Sequence, residues 1–146
     1  MSDPRAWILR RRVLPQHTDH AGVMWHGAYL AWLEEARVEA LASAGLDYSV
    51  LSARGLELPV VRLAVDYRLS LWHGDLVELR SVVDPRQGVK LPWRSWFVRH
   101  DGTVAAEARV ELVLVDLSGG PERRRLLRRL PVDLTAAIDT LIDGPR

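Results

Sequence analysis

The stretch from Gln16 to Gly45 constrains this chain most, because it joins a polar loop directly to a long helical pattern. Its first third is rich in turn-forming and titratable residues, which are His17, Asp19, His20, Gly22 and His26. Its last two thirds repeat apolar residues at steps of three and four, which predicts a helix that Gly45 ends. A carboxylate and several imidazoles therefore precede a helix N-terminus, where free N–H groups and the helix dipole favour negative charge.

Length and composition bound the class of protein. With 146 residues the chain is predicted to form one domain, residues 1–146. It has no cysteine, which excludes disulfides, thiolate metal ligands and a cysteine nucleophile. It has no run of about eighteen apolar residues and no secretory signal pattern, so we expect no membrane span and a cytoplasmic protein.

The basic residues are clustered although the formal net charge is only +1. Arginines fill positions 10–12 and 123–125 and recur at 128–129. A nucleic-acid-binding domain would show a larger basic excess or a recognisable reading motif, so we expect no nucleic-acid partner. The clusters fit either a small phosphorylated ligand or solvated surfaces.

The rest of the chain has mainly strand-like patterns. A strand over 6–14 precedes the loop, and further strands are predicted over 61–69, 76–83, 90–99 and 103–116. A short helical piece is expected within 46–57 and a short helix after Pro131. Short turns predict antiparallel neighbours, so the fold class is α+β, with an antiparallel sheet of about five strands on one long helix. Exposed sheet edges predict a homodimer or homotetramer.

The loop and the first helical turns resemble the site motif of the hotdog-fold acyl-CoA thioesterases, in the 4-hydroxybenzoyl-CoA thioesterase-like branch that includes the Tol-Pal-associated thioesterases. The residues that carry the resemblance are His17-Thr18-Asp19-His20-Ala21-Gly22-Val23-Met24-Trp25-His26, Tyr29-Leu30, Trp32, Glu34 or Glu35, and Ala36-Arg37. The segment LPVVRLAVDYRLSLWHGDLVEL also resembles the family's second strand, turn and third strand. The resemblance implies a hotdog fold and hydrolysis of an acyl-CoA substrate, with no separate cofactor.

The resemblance also implies roles for single residues. Asp19 matches the essential carboxylate, and Gly22 matches the glycine that shapes the loop. His26 matches the position whose backbone N–H binds the thioester carbonyl and whose side chain positions the substrate. Gly27, Trp25 and Tyr29 are further candidates for substrate contact. His17 and His20 depart from the family pattern, which usually has an aspartate and a small residue there.

The chemistry of thioester hydrolysis fits these residue types. It requires an activated water or a carboxylate nucleophile, a polarised carbonyl and a hold on the leaving thiol. Asp19 fits the first requirement as either nucleophile or general base, and the N–H groups at the helix start fit the second. Arg86 and Lys90, which flank Gly88, are candidates for binding the CoA phosphates.

The acyl group is left open between short aliphatic, benzoyl-like and 1,4-dihydroxy-2-naphthoyl groups. Four tryptophans could line an aromatic acyl pocket or simply fill the core, and they are Trp25, Trp32, Trp93 and Trp96.

Two other functions are compatible with the sequence. One is a non-catalytic acyl-CoA-binding protein of the same fold. The other is a metal-dependent hydrolase that uses His17, Asp19, His20 and His26, although these residues lack the further ligand motif that a zinc site needs. We therefore expect no metal.

Overall fold

A five-stranded antiparallel sheet lies against a long helix in the computed structural model, which describes residues 3–146. Residues 1 and 2, which the predicted domain 1–146 includes, lie outside the described residues. In chain order the elements are β1 (Trp7–Arg12), α1 (His26–Ser43), α2 (Tyr48–Ala53), β2 (Leu56–Glu57), β3 (Val60–Tyr67), β4 (Leu76–Val83), β5 (Leu91–Arg99), β6 (Val104–Leu112), β7 (Val115–Asp116), β8 (Arg125–Leu126) and α3 (Val132–Asp143).

The strands of the main sheet follow the order β1-β4-β5-β6-β3, and all of its pairings are antiparallel. The prediction that successive strands are neighbours is therefore wrong for β3 and β4, which lie on different sides of β5 and β6. Their connection is not a hairpin turn, because its residues pack elsewhere. Leu71 is fully buried, and Trp72 forms a β-bridge with Val23 in the loop before α1.

Helix α1 packs on the sheet through the apolar stripe that its sequence predicts. The buried residues of the stripe are Ala28, Tyr29, Trp32, Leu33, Ala36, Ala40 and Leu41. They recur at steps of three and four, so they form one face of the helix. The helix ends at Ser43, and Gly45 follows with the positive φ of +99° that a helix end often requires.

The predicted strand over 103–116 is shorter than expected. β6 ends at Leu112, and the chain then turns away so that β7 pairs with β2 and β8 in a separate three-stranded sheet. The buried residues Val113 and Leu114 continue the apolar pattern through this change of direction, which is why the sequence looks like one strand. The predicted short helices are confirmed as α2 and α3. None of the helices within residues 3–146 is long and apolar enough to span a membrane.

Candidate active site

The polar loop before α1 is held closed by its own backbone. The N–H of Trp25 donates to the carbonyl of His17 at 3.0 Å, and the N–H of Asp19 donates to the carbonyl of Val23 at 2.9 Å. Gly22 has a φ of +82°, a left-handed conformation that favours glycine. The loop therefore turns back on itself and leads directly into the first turn of α1. The substrate-site role of Gly22 stays a prediction.

The Asp19 side chain is fixed at one oxygen and open at the other. Its Oδ1 accepts hydrogen bonds from the backbone N–H groups of Ala21 at 2.8 Å and Val23 at 3.3 Å. No residue within 3–146 donates to its Oδ2, and the side chain is exposed. One oxygen thus orients the carboxylate while the second remains accessible to a water or a substrate carbon.

Helix α1 presents free donors at the point where the loop ends. Within the described chain, the backbone N–H groups of His26 and Gly27 have no hydrogen-bond acceptor. The ring of Trp25 makes an edge contact with His26, at 5.2 Å between centroids, and reaches over Gly27. A Cβ atom on Gly27 would collide with that ring, so the glycine makes room for the indole. These free N–H groups can donate to a developing oxyanion.

A second loop forms one wall of the site, and the sequence did not indicate it. The N–H of His73 donates to the carbonyl of Gly22 at 3.0 Å, and the N–H of Met24 donates to the carbonyl of Leu71 at 2.7 Å. The segment His73-Gly74-Asp75 had only the character of a turn. No local pattern could show that this turn lies beside a loop about fifty residues earlier.

His17 and His20, the two histidines that flank Asp19, differ from it in their surroundings. His17 accepts a hydrogen bond at Nδ1 from the N–H of Leu14 at 3.0 Å, and its ring packs edge-on against Trp32. His17 therefore braces the loop against α1, while His20 is exposed. No group of three or more histidine, aspartate or glutamate side chains within residues 3–146 is arranged to hold a metal ion.

Tyr29 lies in the core instead of on the open side of the loop. Only 3% of it is exposed, and its ring contacts those of Tyr67 and Phe97, with centroids 4.9 Å away in each case. Burial raises the pKa of the Tyr29 phenol to about 12. In this position Tyr29 anchors the first turn of α1 to the sheet, and its predicted contact with substrate stays a prediction.

Arg86 and Lys90 are not brought to Asp19 within one chain. Both lie in the loop between β4 and β5, whereas the Asp19 loop contacts the residues just before β4. The eight residues of β4 separate the two ends by roughly 23 Å. The Arg86 guanidinium donates to the carbonyls of Gly88 at 2.6 Å and of Arg128, and Lys90 lies 3.3 Å from a carboxylate oxygen of Glu111.

The tryptophans divide between several environments. Trp32 and Trp93 belong to the main core, and Trp96 lies in a small apolar cluster on the opposite face of the sheet. Trp25 is exposed beside the helix start. The four residues therefore do not form a single aromatic pocket.

A five-stranded antiparallel sheet packed against one long helix is the architecture of the hotdog fold. A comparison with protein families matches residues 13–138 to the thioesterase-like superfamily. The chain belongs to this superfamily, and it is a thioesterase enzyme with the hotdog fold.

Individual relatives agree with this membership. The chain is 40% identical over 121 residues to a putative esterase, sll0410, of Synechocystis, covering 82% of this chain and 70% of the relative. It is 30% identical over 105 residues to the acyl-CoA thioester hydrolase YbgC of Escherichia coli, covering 72% and 78% respectively. The fold is similar to that of a DHNA-CoA thioesterase from Staphylococcus aureus, with a TM-score of 0.82, 23% identity and coverage of 93% and 90%.

Proposed function

We propose that this protein hydrolyses acyl-CoA thioesters at the junction of the polar loop and α1. The net reaction consumes one water and breaks the C–S bond, which yields a carboxylic acid and the CoA thiol. Asp19 has one of two roles. It attacks the carbonyl carbon itself as the nucleophile, or it removes a proton from the water that attacks this carbon. The N–H groups of His26 and Gly27 donate to the carbonyl oxygen as negative charge develops on it.

One observation carries this proposal. The Asp19 carboxylate is oriented by two backbone N–H groups at Oδ1 and keeps Oδ2 accessible, on a loop that closes onto the start of α1. The same short segment of chain thus carries both an accessible carboxylate oxygen and, a few residues later, unpaired helix N–H donors. The name of the E. coli relative, an acyl-CoA thioester hydrolase, supports the same substrate class.

The test is a hydrolysis panel with detection of the free thiol. Butyryl-, decanoyl-, benzoyl- and 1,4-dihydroxy-2-naphthoyl-CoA would be offered to the purified protein, with and without a metal chelator. We expect turnover of at least one ester, unchanged by the chelator, because no step of the proposed reaction uses a metal or another cofactor. Binding of every ester without turnover would favour the acyl-CoA-binding alternative.

We further propose that the chain forms a homodimer by antiparallel pairing of β3 with its copy. β3 is an edge of the sheet, since within residues 3–146 its only strand partner is β6. It carries exposed apolar side chains at Val60, Val61, Leu63 and Tyr67. An apolar edge strand with unpaired backbone groups readily pairs with another strand, and a two-fold axis satisfies both copies equally.

Charge introduced at the β3 edge is expected to separate the copies. A variant with Val60→Lys and Val61→Lys would place two charged side chains of each copy in the apolar β3–β3 contact, where their desolvation is unfavourable, so sedimentation velocity should report a monomer. Ile8→Lys on the opposite edge strand, β1, is the matched control and should leave the dimer intact. The reverse result, with only the β1 variant dissociating, would place the interface elsewhere.

Arg86 and Lys90 fit this dimer as ligands of the CoA phosphates. Antiparallel pairing of β3 reverses the second copy, so the β4–β5 loop of one copy lies toward the Asp19 end of the other. We expect Arg86→Ala and Lys90→Ala to raise KM several-fold with kcat nearly unchanged, because phosphate contacts are the same in ground and transition states. Steady-state kinetics on the best substrate would measure this, and a fall in kcat alone would contradict it.

A further inference from the structure

A cavity of about 320 Å³ lies beside the C-terminal half of α1, away from the polar loop, and is lined by residues of α1, α2, α3 and the sheet. We call it the distal cavity. Most of its lining is apolar and comes from the main core, including Leu41, Trp93, Leu112 and Leu134. Its volume is near the lower limit of small-molecule sites in proteins. The mechanism proposed above does not use this cavity.

The distal cavity contains an arginine without a partner. Arg37 lies in its lining, is only partly exposed, and makes no hydrogen bond or ion pair with any residue of the described chain. Burial lowers the pKa of the guanidinium, although the nearby Glu34 opposes this effect. Its N–H groups are therefore available to an acceptor that enters the cavity. A hydrogen bond from a partly buried guanidinium to an oxygen atom of a ligand would be stronger than one made in bulk water.

Tyr48 and Glu57, two of the other polar groups of the distal cavity, are already hydrogen-bonded, whereas the exposed Glu34 makes no hydrogen bond with the described residues. The Tyr48 hydroxyl donates to Glu57 at 2.7 Å and accepts from the N–H of Leu58 at 3.0 Å. Glu57 also accepts from the Ser52 hydroxyl at 3.0 Å. Arg37 is therefore the group in the lining that has the most unused hydrogen-bond donors.

A stripe of exposed residues leads from the helix start to this arginine. Leu30 and Glu34 follow Gly27 on successive turns of α1, and both are exposed. Tyr67 of β3 packs on Tyr29, so Leu63, which alternates onto the same side of β3, also faces the helix layer. Both β3 side chains are exposed and apolar. Arg37 comes eleven residues after His26, which is about 16 Å along the helix axis.

We propose that the acyl group of the substrate runs along this stripe and places an uncharged oxygen, a hydroxyl or a keto group, against Arg37 in the distal cavity. This inference rests on the proposed function, because the thioester must lie at Asp19 for the acyl group to take this path. The substrates would be CoA esters of medium-length acyl groups that carry an oxygen far from the thioester. Arg37 would be the residue that selects them.

The charges around the cavity exclude the simplest alternative, a second carboxylate on the acyl group. Glu34 and Glu57 outnumber Arg37 in the lining, so another negative charge would be repelled. A plain alkyl chain would fit the apolar walls but would leave Arg37 unpaired. A hydroxyl or keto oxygen accepts from Arg37 without adding charge.

Matched substrates test the inference directly. Decanoyl-CoA, 10-hydroxydecanoyl-CoA and the CoA half-ester of decanedioic acid have the same chain length and differ only at the remote end. We expect wild type to prefer the hydroxy ester in kcat/KM by about tenfold over the alkyl ester, and to hydrolyse the dicarboxylic half-ester most slowly. Arg37→Met should abolish the preference for the hydroxyl while changing decanoyl-CoA turnover less than about twofold.

Control variants separate a selective contact from a structural role. Arg109→Met, an exposed arginine on the opposite face of the sheet, should keep the wild-type preference. Leu58→Trp should fill the cavity and slow decanoyl-CoA hydrolysis while sparing butyryl-CoA. If Arg37→Met does not fold, as shown by thermal unfolding, the Leu58→Trp comparison and the wild-type preference decide the matter.

The outcomes distinguish this inference from the proposed function. If wild type hydrolyses the esters at equal rates, or prefers the dicarboxylic half-ester, the role of Arg37 is overturned while the thioesterase activity stands. If wild type hydrolyses none of these three esters but another acyl-CoA of the panel, the inference alone fails. If it hydrolyses no acyl-CoA at all, the proposed function fails and the inference fails with it.

Discussion

Asp19→Asn is expected to lower kcat by about 10²- to 10⁴-fold on the best acyl-CoA substrate, with a much smaller change in KM. Asparagine keeps an oxygen that can accept from the N–H groups of Ala21 and Val23, so the loop should retain its shape. It cannot remove a proton from water or form an anhydride with the acyl group. The loss should therefore affect the reaction and not the fold.

The matched control is Asp139→Asn, which changes an exposed carboxylate on α3 in the same way and should leave kcat unchanged. Wild-type turnover by Asp19→Asn would rule out this carboxylate as the reacting group. A single turnover of wild type in ¹⁸O-water then distinguishes its two roles. General-base catalysis labels the product acid, whereas a nucleophilic attack followed by hydrolysis at the aspartyl carbon labels Asp19.

Phe97→Ala should destabilise the protein by about 3–5 kcal/mol, because it opens a cavity in the centre of the sheet–helix interface. Phe97 is completely buried on β5, and its ring contacts that of Tyr29 on the first turn of α1. Removal of the ring takes away the surface on which the start of the helix rests. The free energy of unfolding should be measured by urea titration of wild type and variant.

Leu126→Ala serves as the control for this loss, since Leu126 is exposed and its truncation should cost less than about 0.5 kcal/mol. Equal stability of wild type and Phe97→Ala would mean that Tyr29 and the helix start do not depend on this core contact. If Phe97→Ala still folds at low temperature, its thioesterase activity should also be lower than that of wild type, because the start of α1 that carries the N–H donors loses its support.

The helix and the loop before it were predictable because their signals are local. The apolar residues of α1 recur with the period of a helix, and Gly45 ends it, so the bounds follow from the sequence alone. The position of Asp19 just before this helix was equally visible. β4 was predicted with its observed bounds, Leu76–Val83, because turn residues flank an alternating pattern.

The strand order could not be predicted in the same way, because it depends on contacts between distant residues. A turn before β4 suggested a hairpin with β3, but β4 pairs with β1 and β5. The same limit applies to the site. Trp72 and His73 lie beside the Asp19 loop through tertiary hydrogen bonds that leave no pattern in the sequence. Arg37 was visible only as part of a motif, and its unpaired state emerged from the packing around it.

The two borders of the main sheet differ in a way that limits assembly. A sheet whose two edge strands can both pair with further copies can add copies without limit and form a fibre. Here the β1 edge carries Arg10, Arg11 and Arg12 in succession, the first two ion-paired with Glu78 and Glu35, so a second copy aligned there would have to bury these charged groups. The exposed side chains of the β3 edge are mainly apolar by contrast. Assembly by pairing of edge strands should therefore stop at two copies and should not continue into a polymer.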